Sequence, residues 1–484
     1  MSPQLRWARP GSKPQPEPRN SEILTEFPMP LRDTAPKLSP EQYEKNFADI
    51  TPPMTRRQAA IEAARCLYCF DAPCTIACPT HIDVPAFIKK ISTGNLRGSA
   101  REILSANILG QSCGRVCPTE ALCEGACVMH EKGEEAIEIG RLQRYSVDYV
   151  LDNKIGLFHA GAPNAKRVAC IGSGPASLAC AAELAKWGYD VTIFDRNELP
   201  GGLNSYGIAA YKSRASEAVR EVDLIKDLGV KFRQRTEVPR DISFAELEKQ
   251  FDAIFLGVGL GETGPLSLPG EDLEGVYGAL EFIEKTKVQP FRDVEIGRRV
   301  ACIGAGNTAI DVVTAARRLG AEIVYLVYRR GEAEMPAFAY EYQLAKQDGV
   351  SFLWQTQPVR VLGTNGAVSG LECVRTELGA PDAKGRRSPA PVKGSEFTIE
   401  VDMVVRAVGQ KPVTEFLKAI PGVKIRKDGT VEINEHRQTG HKKYFAGGDC
   451  TNGGSEVVDA VAEGMAAARG LDQFLGVPRG SVKG

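Results

Sequence analysis

Eight of the thirteen cysteines in this chain fall between Cys66 and Cys127. The first run reads Cys66-x2-Cys69-x4-Cys74-x3-Cys78-Pro79. The second reads Cys113-x3-Cys117-Pro118, followed by Cys123-x3-Cys127. Thiolates are soft ligands, and four of them are the usual requirement for a [4Fe–4S] cluster. Short spacings let one loop wrap a cluster while a distant cysteine closes it. Proline directly after cysteine, as at Pro79 and Pro118, is also a feature of bacterial ferredoxins. The competing chemistry is structural zinc, which tends to use paired C-x2-C knuckles; only one such pair exists here, and histidines are sparse in the region. A secreted disulfide framework fits poorly, because the N-terminus has no apolar export segment. Eight cysteines suggest two clusters, and spacing alone does not say which cysteine serves which.

Two glycine-rich turns carry a second chemistry. Gly172-Ser-Gly174-Pro175-Ala176-Ser177 and Gly304-Ala-Gly306-Asn307-Thr308-Ala309 each follow a short apolar strand and open a helix. In that context the first glycine permits the tight turn, and the second lets the backbone approach a pyrophosphate seated on the helix N-terminus. Ala309 fits the small third position; Ser177 departs from it slightly. The strands that follow end differently. The first ends in Asp195, whose carboxylate can accept hydrogen bonds from a ribose diol, so this unit is expected to bind FAD. The second ends in Arg329-Arg330, whose guanidinium groups suit a 2′-phosphate, so this unit is expected to bind NADP(H). A solvated basic strand end is the competing reading of the arginines, and Glu332 and Glu334 weaken the phosphate one.

The elements that must position these residues follow from periodicity. MTRRQAAIEAARCLYC has helical spacing leading straight into the first cysteine, and VPAFIKKISTG and LRGSAREILSAN read as further short helices. KRVACIGSG, PASLACAAELAKWG and YDVTIFDR form a βαβ unit that returns, nearly position for position, as RRVACIGAG, NTAIDVVTAARRLG and AEIVYLVYRR. Near the C-terminus Phe445-Ala-Gly-Gly448-Asp449 follows an extended segment, and VVDAVAEGMAAARGLDQFL reads as a helix whose N-terminus would point at the flavin. The predicted class is α/β: an α-helical iron–sulfur domain followed by two Rossmann-like domains, the FAD domain discontinuous. The expected divisions are an extended Pro-rich arm over 1–38, the helical domain with two clusters over 39–158, FAD binding over 159–290 and again over 406–484, and NAD(P) binding over 291–405. A net charge of -1 gives no field for nucleic acid or anionic membranes. No apolar run of about 18 residues predicts a membrane span. A cytoplasmic location is expected, with neither membrane nor nucleic acid as partner.

Together these features resemble the glutamate synthase small-subunit superfamily from about residue 40 to the C-terminus, including GVGLGETGPLSLPG (257–270) and RAVGQKP (406–412) near flavin and nicotinamide. Within it, CLYCFDAPCTIACPT, LGQSCGRVCPTEALCEGAC and IGRLQR resemble the flavoprotein subunit of bacterial dihydropyrimidine dehydrogenase, where a glutamine at the place of Gln143 is an unusual cluster ligand. The resemblance implies that Cys66, Cys69, Cys74 and Cys127 hold one cluster and that Cys78, Cys117, Cys123 and Gln143 hold the other, with Cys113 left over. It implies Asp195, Gly202 and Asp449 at FAD, and Gly304, Gly306, Asn307, Arg329 and Arg330 at NADP(H) or NAD(H). Hydride transfer to flavin needs stacking and positioning more than a side-chain acid, so no catalytic residue is named. The implied partner, in a heterotetramer, carries FMN, further iron–sulfur clusters and the pyrimidine site, which this chain is expected to lack; electrons from NAD(P)H would there reduce uracil or thymine to 5,6-dihydropyrimidines. The alternatives are a glutamate synthase small subunit, a ferredoxin–NADP(H) electron-transfer subunit, or a non-enzymatic iron–sulfur flavoprotein.

Overall fold

The protein is described from a computed structural model that covers residues 34–382, 385 and 387–477. Most of the Pro-rich arm and the last seven residues lie outside the described residues. Where the described chain begins, Ala35 N–H donates to Ile296 O at 2.8 Å, against the second nucleotide unit.

The cysteine-rich segment is a helical domain. Its first helix beyond the arm, Pro40–Asn46, is capped by Ser39 and packs on the second nucleotide unit, where Phe47 stacks on Phe291. Helix Arg56–Ala64 starts with a Thr55/Gln58 capping box, which satisfies orphan N–H groups reciprocally, and runs into Cys66. Helices Val84–Ser92, Leu96–Ala106 and Ile139–Asp152 bury Phe87, Ile88, Ile103, Leu104 and Leu142 in one core shared with the cysteine loops.

The two βαβ repeats build two parallel five-stranded sheets. The first runs Tyr444–Ala446, Ala253–Leu256, Arg167–Ile171, Asp190–Phe194 and Lys231–Arg233. Its edge strand returns from the C-terminal part of the chain, so the first nucleotide unit is discontinuous. The second runs Val276–Gly278, Met403–Arg406, Arg299–Ile303, Ile323–Val327 and Ser351–Leu353. Val276–Gly278 pairs with Met403–Arg406, so the second unit draws in chain ahead of position 291, where its start was expected. Three residues with one branched apolar side chain leave too short a pattern to read as a strand. An antiparallel sheet of Thr356–Thr364, Ala367–Pro381, Arg387–Pro391 and Phe397–Ile399 is inserted into the second unit. The two nucleotide units are tied by a buried cation: Lys212 Nζ lies 2.7 Å from Asp311 Oδ1 and 2.6 Å from Glu341 Oε1, and Tyr211 O–H donates to the same Asp311 oxygen at 2.8 Å.

The helical domain joins the first nucleotide unit through Glu221. This fully buried carboxylate accepts from Gln111 N–H at 2.6 Å and from Ser112 Oγ–H at 2.5 Å. Burial pushes its carboxyl up from the ordinary 4.5 to about 7, despite those donors. A folded-state value above the unfolded one means the folded protein binds the extra proton, so this contribution to stability is complete below about pH 4.5 and is lost as pH rises through 7. Thermal unfolding of wild type and Glu221→Gln between pH 5 and 8 checks this: the wild-type melting temperature is expected to fall relative to the variant as pH rises. Parallel curves would refute it.

Candidate functional site

A cleft of about 690 Å³ opens at the C-terminal edge of the first sheet, where ligands bind in open α/β sheets. Gly172, Gly174, Pro175, Ala176, Asp195, Gly202, Gly448 and Asp449 all line it. The glycines are required there. Gly172 has φ +90°, and a Cβ on it would lie 2.4 Å from Gly257 O; a Cβ on Gly202 would lie 2.7 Å from Gly174 Cα. Ser177, the departure at the third position, is fully buried, and a Cβ on Gly257 would lie 2.1 Å from its Oγ. The larger third residue is thus accommodated by a glycine on the neighbouring strand end.

Asp195 sits at the end of its strand and is already engaged: Oδ2 accepts from Ser173 N–H at 2.7 Å and from Ser173 Oγ–H at 2.6 Å, and Oδ1 accepts from Asn197 N–H at 2.8 Å. A carboxylate offers about four lone-pair sites, so one remains for a ribose hydroxyl. Opposite, Ser455, Glu456, Val457 and Ala460 bring the N-terminus of helix Val457–Leu475 to the cleft, where the helix dipole favours negative charge. Burial raises the Asp449 carboxyl above its ordinary value. Segments 257–263 and residues Arg406 and Gln410 also line the cleft. Asn204 and Arg406 each leave a buried side-chain atom, Oδ1 and Nε, without a partner. Buried polar atoms are normally satisfied, so both point to a polar ligand. Sequence reasoning gave no role to Asn204, Tyr206, Thr236 or Glu281, all of which line the cleft.

The second turn repeats the design. Gly304 has φ +132°, with Ala407 O 2.2 Å from where its Cβ would be; Gly306 faces open space and caps helix Asn307–Leu319, which carries Thr308 in its first turn. Asn307 Oδ1 accepts from Phe338 N–H at 3.0 Å. Gly304 N–H donates to Val327 O at 3.1 Å, which sets this turn beside the strand end that carries Arg329 and Arg330. Arg329 is exposed, and Arg330 Nε is buried without a partner. The two neighbouring glutamates turn elsewhere: Glu334 accepts from Gly331 N–H at 3.1 Å, and Glu332 is hydrogen-bonded to Tyr342.

The cysteines gather in two groups. Cys66, Cys69, Cys74 and Cys127 line one small cavity together with Leu67, Pro73, Val84 and Ile88. Burial pushes the Cys74 thiol up to about 11 and raises that of Cys66. Cys78, Cys117 and Cys123 form the second group, close enough for their charges to act on one another, and burial and neighbouring thiols hold Cys117 and Cys123 well above the ordinary range. Cys113 lies close enough to Cys117 for their charges to act on one another, and its Sγ accepts from Asn107 Nδ2–H at 3.1 Å. Gln143 is buried on helix Ile139–Asp152 and donates Nε2–H to Gly110 O at 2.8 Å, which leaves its carbonyl oxygen as the end available to a metal. Among the described residues no three His, Cys, Asp or Glu side chains converge as a single metal ion requires; a cubane distributes its four thiolates over four irons.

The helix that leads into Cys117 adjoins the first nucleotide unit. Helix Gly110–Val116 packs on helices Ala215–Lys226 and Val457–Leu475. Val458 is buried in the cysteine-domain core, while its neighbours Val457 and Ala460 line the cleft. In the loop of the first group, Phe70 and Ile76 are exposed. Among the described residues no helix is long and apolar enough to cross a membrane.

Comparison with known proteins matches residues 43–155 to the family described as dihydropyrimidine dehydrogenase domain II, 4Fe-4S cluster, and residues 166–464 to pyridine nucleotide-disulphide oxidoreductase. The chain is 39% identical to the oxidoreductase AegA of Escherichia coli K12, over 93% of this chain and 70% of that protein. It is 37% identical to the small chain of glutamate synthase [NADPH] from the same organism, over 92% of this chain and 98% of that protein. Among solved structures, Mycobacterium tuberculosis FprA in complex with NADPH shares the fold, with a TM-score of 0.54 at 22% identity, over 64% of this chain and 84% of that one.

Proposed function

Because this chain belongs to the glutamate synthase small-chain family of NADPH-dependent iron–sulfur oxidoreductases, we propose that it is the electron-input subunit of a glutamate-synthase-type enzyme. Its cofactors are FAD, 4Fe–4S clusters and NADP(H). When bound, the flavin accepts a two-electron hydride and releases single electrons, which clusters can carry. The protein's own part is positional. The glycines at 172, 174 and 202 admit the flavin's pyrophosphate, Asp195 orients its ribose, and the first turn of helix Val457–Leu475 presents N–H groups to the ring. Gly304, Gly306, Asn307 and Thr308 seat the nicotinamide nucleotide, and Arg329 and Arg330 hold its 2′-phosphate. Cys66, Cys69, Cys74 and Cys127 hold one cluster; Cys78, Cys117, Cys123 and Gln143 hold the other.

The observation that carries this reading is Val458, buried among the cysteine helices one residue from the cleft-lining Val457. The cleft and the core of the cysteine domain thus share one turn of one helix. A second reading, the flavoprotein subunit of dihydropyrimidine dehydrogenase, uses the same carriers and differs in the partner; Gln143 and the domain matched by residues 43–155 favour it. The experiment that tests both supplies the purified chain and NADPH to a glutamate synthase large subunit stripped of its own small chain, and in parallel to a pyrimidine-reducing catalytic subunit. Glutamate formation from glutamine and 2-oxoglutarate is expected. Dihydrouracil formation without glutamate formation would reverse the order of the two readings, and failure of NADPH to bleach the flavin would remove both.

A further inference from the structure

The antiparallel sheet inserted into the second nucleotide unit holds the segment that carries Arg329 and Arg330. Thr356 N–H donates to Tyr328 O at 2.9 Å, and Gln355 N–H, just ahead of the sheet, donates to Arg330 O at 2.9 Å. Thr376 O–H donates to Arg329 O between them, at 2.7 Å. Successive carbonyls beyond strand Ile323–Val327 are thus fastened to the insertion. Arg375 sits at the same junction. It pairs with Thr356 across strands Ala367–Pro381 and Thr356–Thr364. Two residues before it, Cys373 is buried in the core that the insertion shares with Val327 and Leu353. Alternate residues of a strand share a face. Arg375 therefore extends the core-facing row past its edge, toward the C-terminal ends of strands Ile323–Val327 and Ser351–Leu353, where ligands of open α/β sheets bind.

The Arg375 guanidinium is held in place. Its Nη1–H donates to Thr356 Oγ1 at 3.1 Å, and its central carbon lies 4.3 Å from the centre of the Phe397 ring. The residue is exposed, and most of its fork of N–H donors stays available. Among the described residues Arg375 forms no ion pair, whereas Arg360 on the neighbouring strand is taken by Glu372 at 3.1 Å. Cations brought to one strand end repel one another. A phosphate dianion between them reverses the sign, through charge-assisted hydrogen bonds that suit a planar fork.

We propose that Arg375, supplied by the inserted sheet, is a third cation at the 2′-phosphate of NADP(H), and so part of what sets this cosubstrate apart from NAD(H). The proposal rests on the reading of Arg329 and Arg330 as ligands of that phosphate. Because Thr356 and Phe397 already hold the guanidinium, little side-chain freedom is lost when the phosphate arrives. Because the residue is exposed, its attraction is screened by salt.

The test is calorimetric titration of NADP+ and of NAD+ into the oxidised chain loaded with FAD and clusters. It compares wild type, Arg375→Ala, Arg375→Lys and the double variant Arg329→Ala with Arg330→Ala. The ratio of the two dissociation constants reads the 2′-phosphate. Arg375→Ala is expected to weaken NADP+ binding roughly ten-fold and NAD+ binding by less than about three-fold, as loss of one charge-assisted contact implies. That loss is expected to narrow as salt is raised. Arg375→Lys, which keeps the charge but not the fork, is expected to recover part of it. Unchanged NADP+ affinity in Arg375→Ala, beside a loss in the double variant, overturns the proposal and leaves the phosphate site standing. Equal weakening of both nucleotides in Arg375→Ala also overturns it, since a residue that only holds the sheet together would do that. If the double variant keeps the wild-type ratio, the phosphate reading itself falls, and Arg375 falls with it.

Discussion

Changing Arg329 and Arg330 together to alanine is expected to lower kcat/KM for NADPH by roughly a hundred-fold, with NADH turnover changed by less than about three-fold. Charge-assisted hydrogen bonds are worth about 1.5–3 kcal/mol each. Losing a pair that holds one phosphate removes about 3 kcal/mol, and every 1.4 kcal/mol is a factor of ten. The loss should fall on KM, because the 2′-phosphate lies far from the reacting ring and its binding energy is the same in ground and transition states. Two features of the structure favour this over a solvated strand end. Arg330 has a buried nitrogen without a partner, and Glu332 and Glu334 have turned to Tyr342 and Gly331. Steady-state kinetics with both cofactors decide it. A wild type that prefers NADH, or a double variant that loses NADPH and NADH turnover equally, would show that the arginines are not phosphate ligands.

Replacing Cys74 by alanine is expected to remove one whole cluster and leave the rest of the protein assembled. Cys74 lines the same small cavity as Cys66, Cys69 and Cys127, and this group lies apart from the flavin cleft. A cubane that loses one of four thiolates is left with an open, labile iron. Iron and labile sulfide should each fall from about eight to about four per chain, two cubanes to one. NADPH should still bleach the flavin in a rapid-mixing experiment, because the second group and the cleft are untouched. Reduction of a protein partner should stop, since its carrier is gone. Undiminished iron in Cys74→Ala would exclude this cysteine as a ligand, and zinc without sulfide in wild type would replace cluster chemistry by a structural site.

The parts of this protein that could be read before folding are those whose meaning is local. The turns at Gly172 and Gly304 announce themselves because strand, turn and helix are contiguous, and the helix Val457–Leu475 spans the segment its periodicity marks. The match of both nucleotide units to one oxidoreductase family agrees with the α/β class expected from the repeat. What could not be read is what only the assembled chain creates. Asn204 and Arg406 reach one cleft from positions two hundred residues apart in sequence; Arg406 opens the RAVGQKP segment expected near flavin and nicotinamide, whereas nothing local gives Asn204 a role. The buried triad of Lys212, Asp311 and Glu341 joins two units through residues that look like surface charges in the sequence. Cys113 is indistinguishable by spacing from its neighbours; the family resemblance alone leaves it over, and only the folded chain shows its hydrogen bond from Asn107. The choice of family subgroup leaned on Gln143, one residue in a short segment, whereas identity over most of the chain favours the glutamate synthase type.

The first turn of helix Val457–Leu475 also limits how such proteins can be recombined. Val458 is seated among the cysteine helices while Ala460, two residues on, touches the flavin cleft. A chimera that joins the cysteine domain of one relative to the nucleotide units of another would bring a C-terminal helix shaped for the wrong core, although the junction near residue 159 looks like a natural splice point. Val461, Ala467, Ala468 and Leu471 further along the helix pack in the core of the first nucleotide unit, so grafts that carry only the turn at 455–458 along with the N-terminal domain are the ones that should preserve both sites, and the exchangeable unit of this architecture is two distant stretches of chain inherited together.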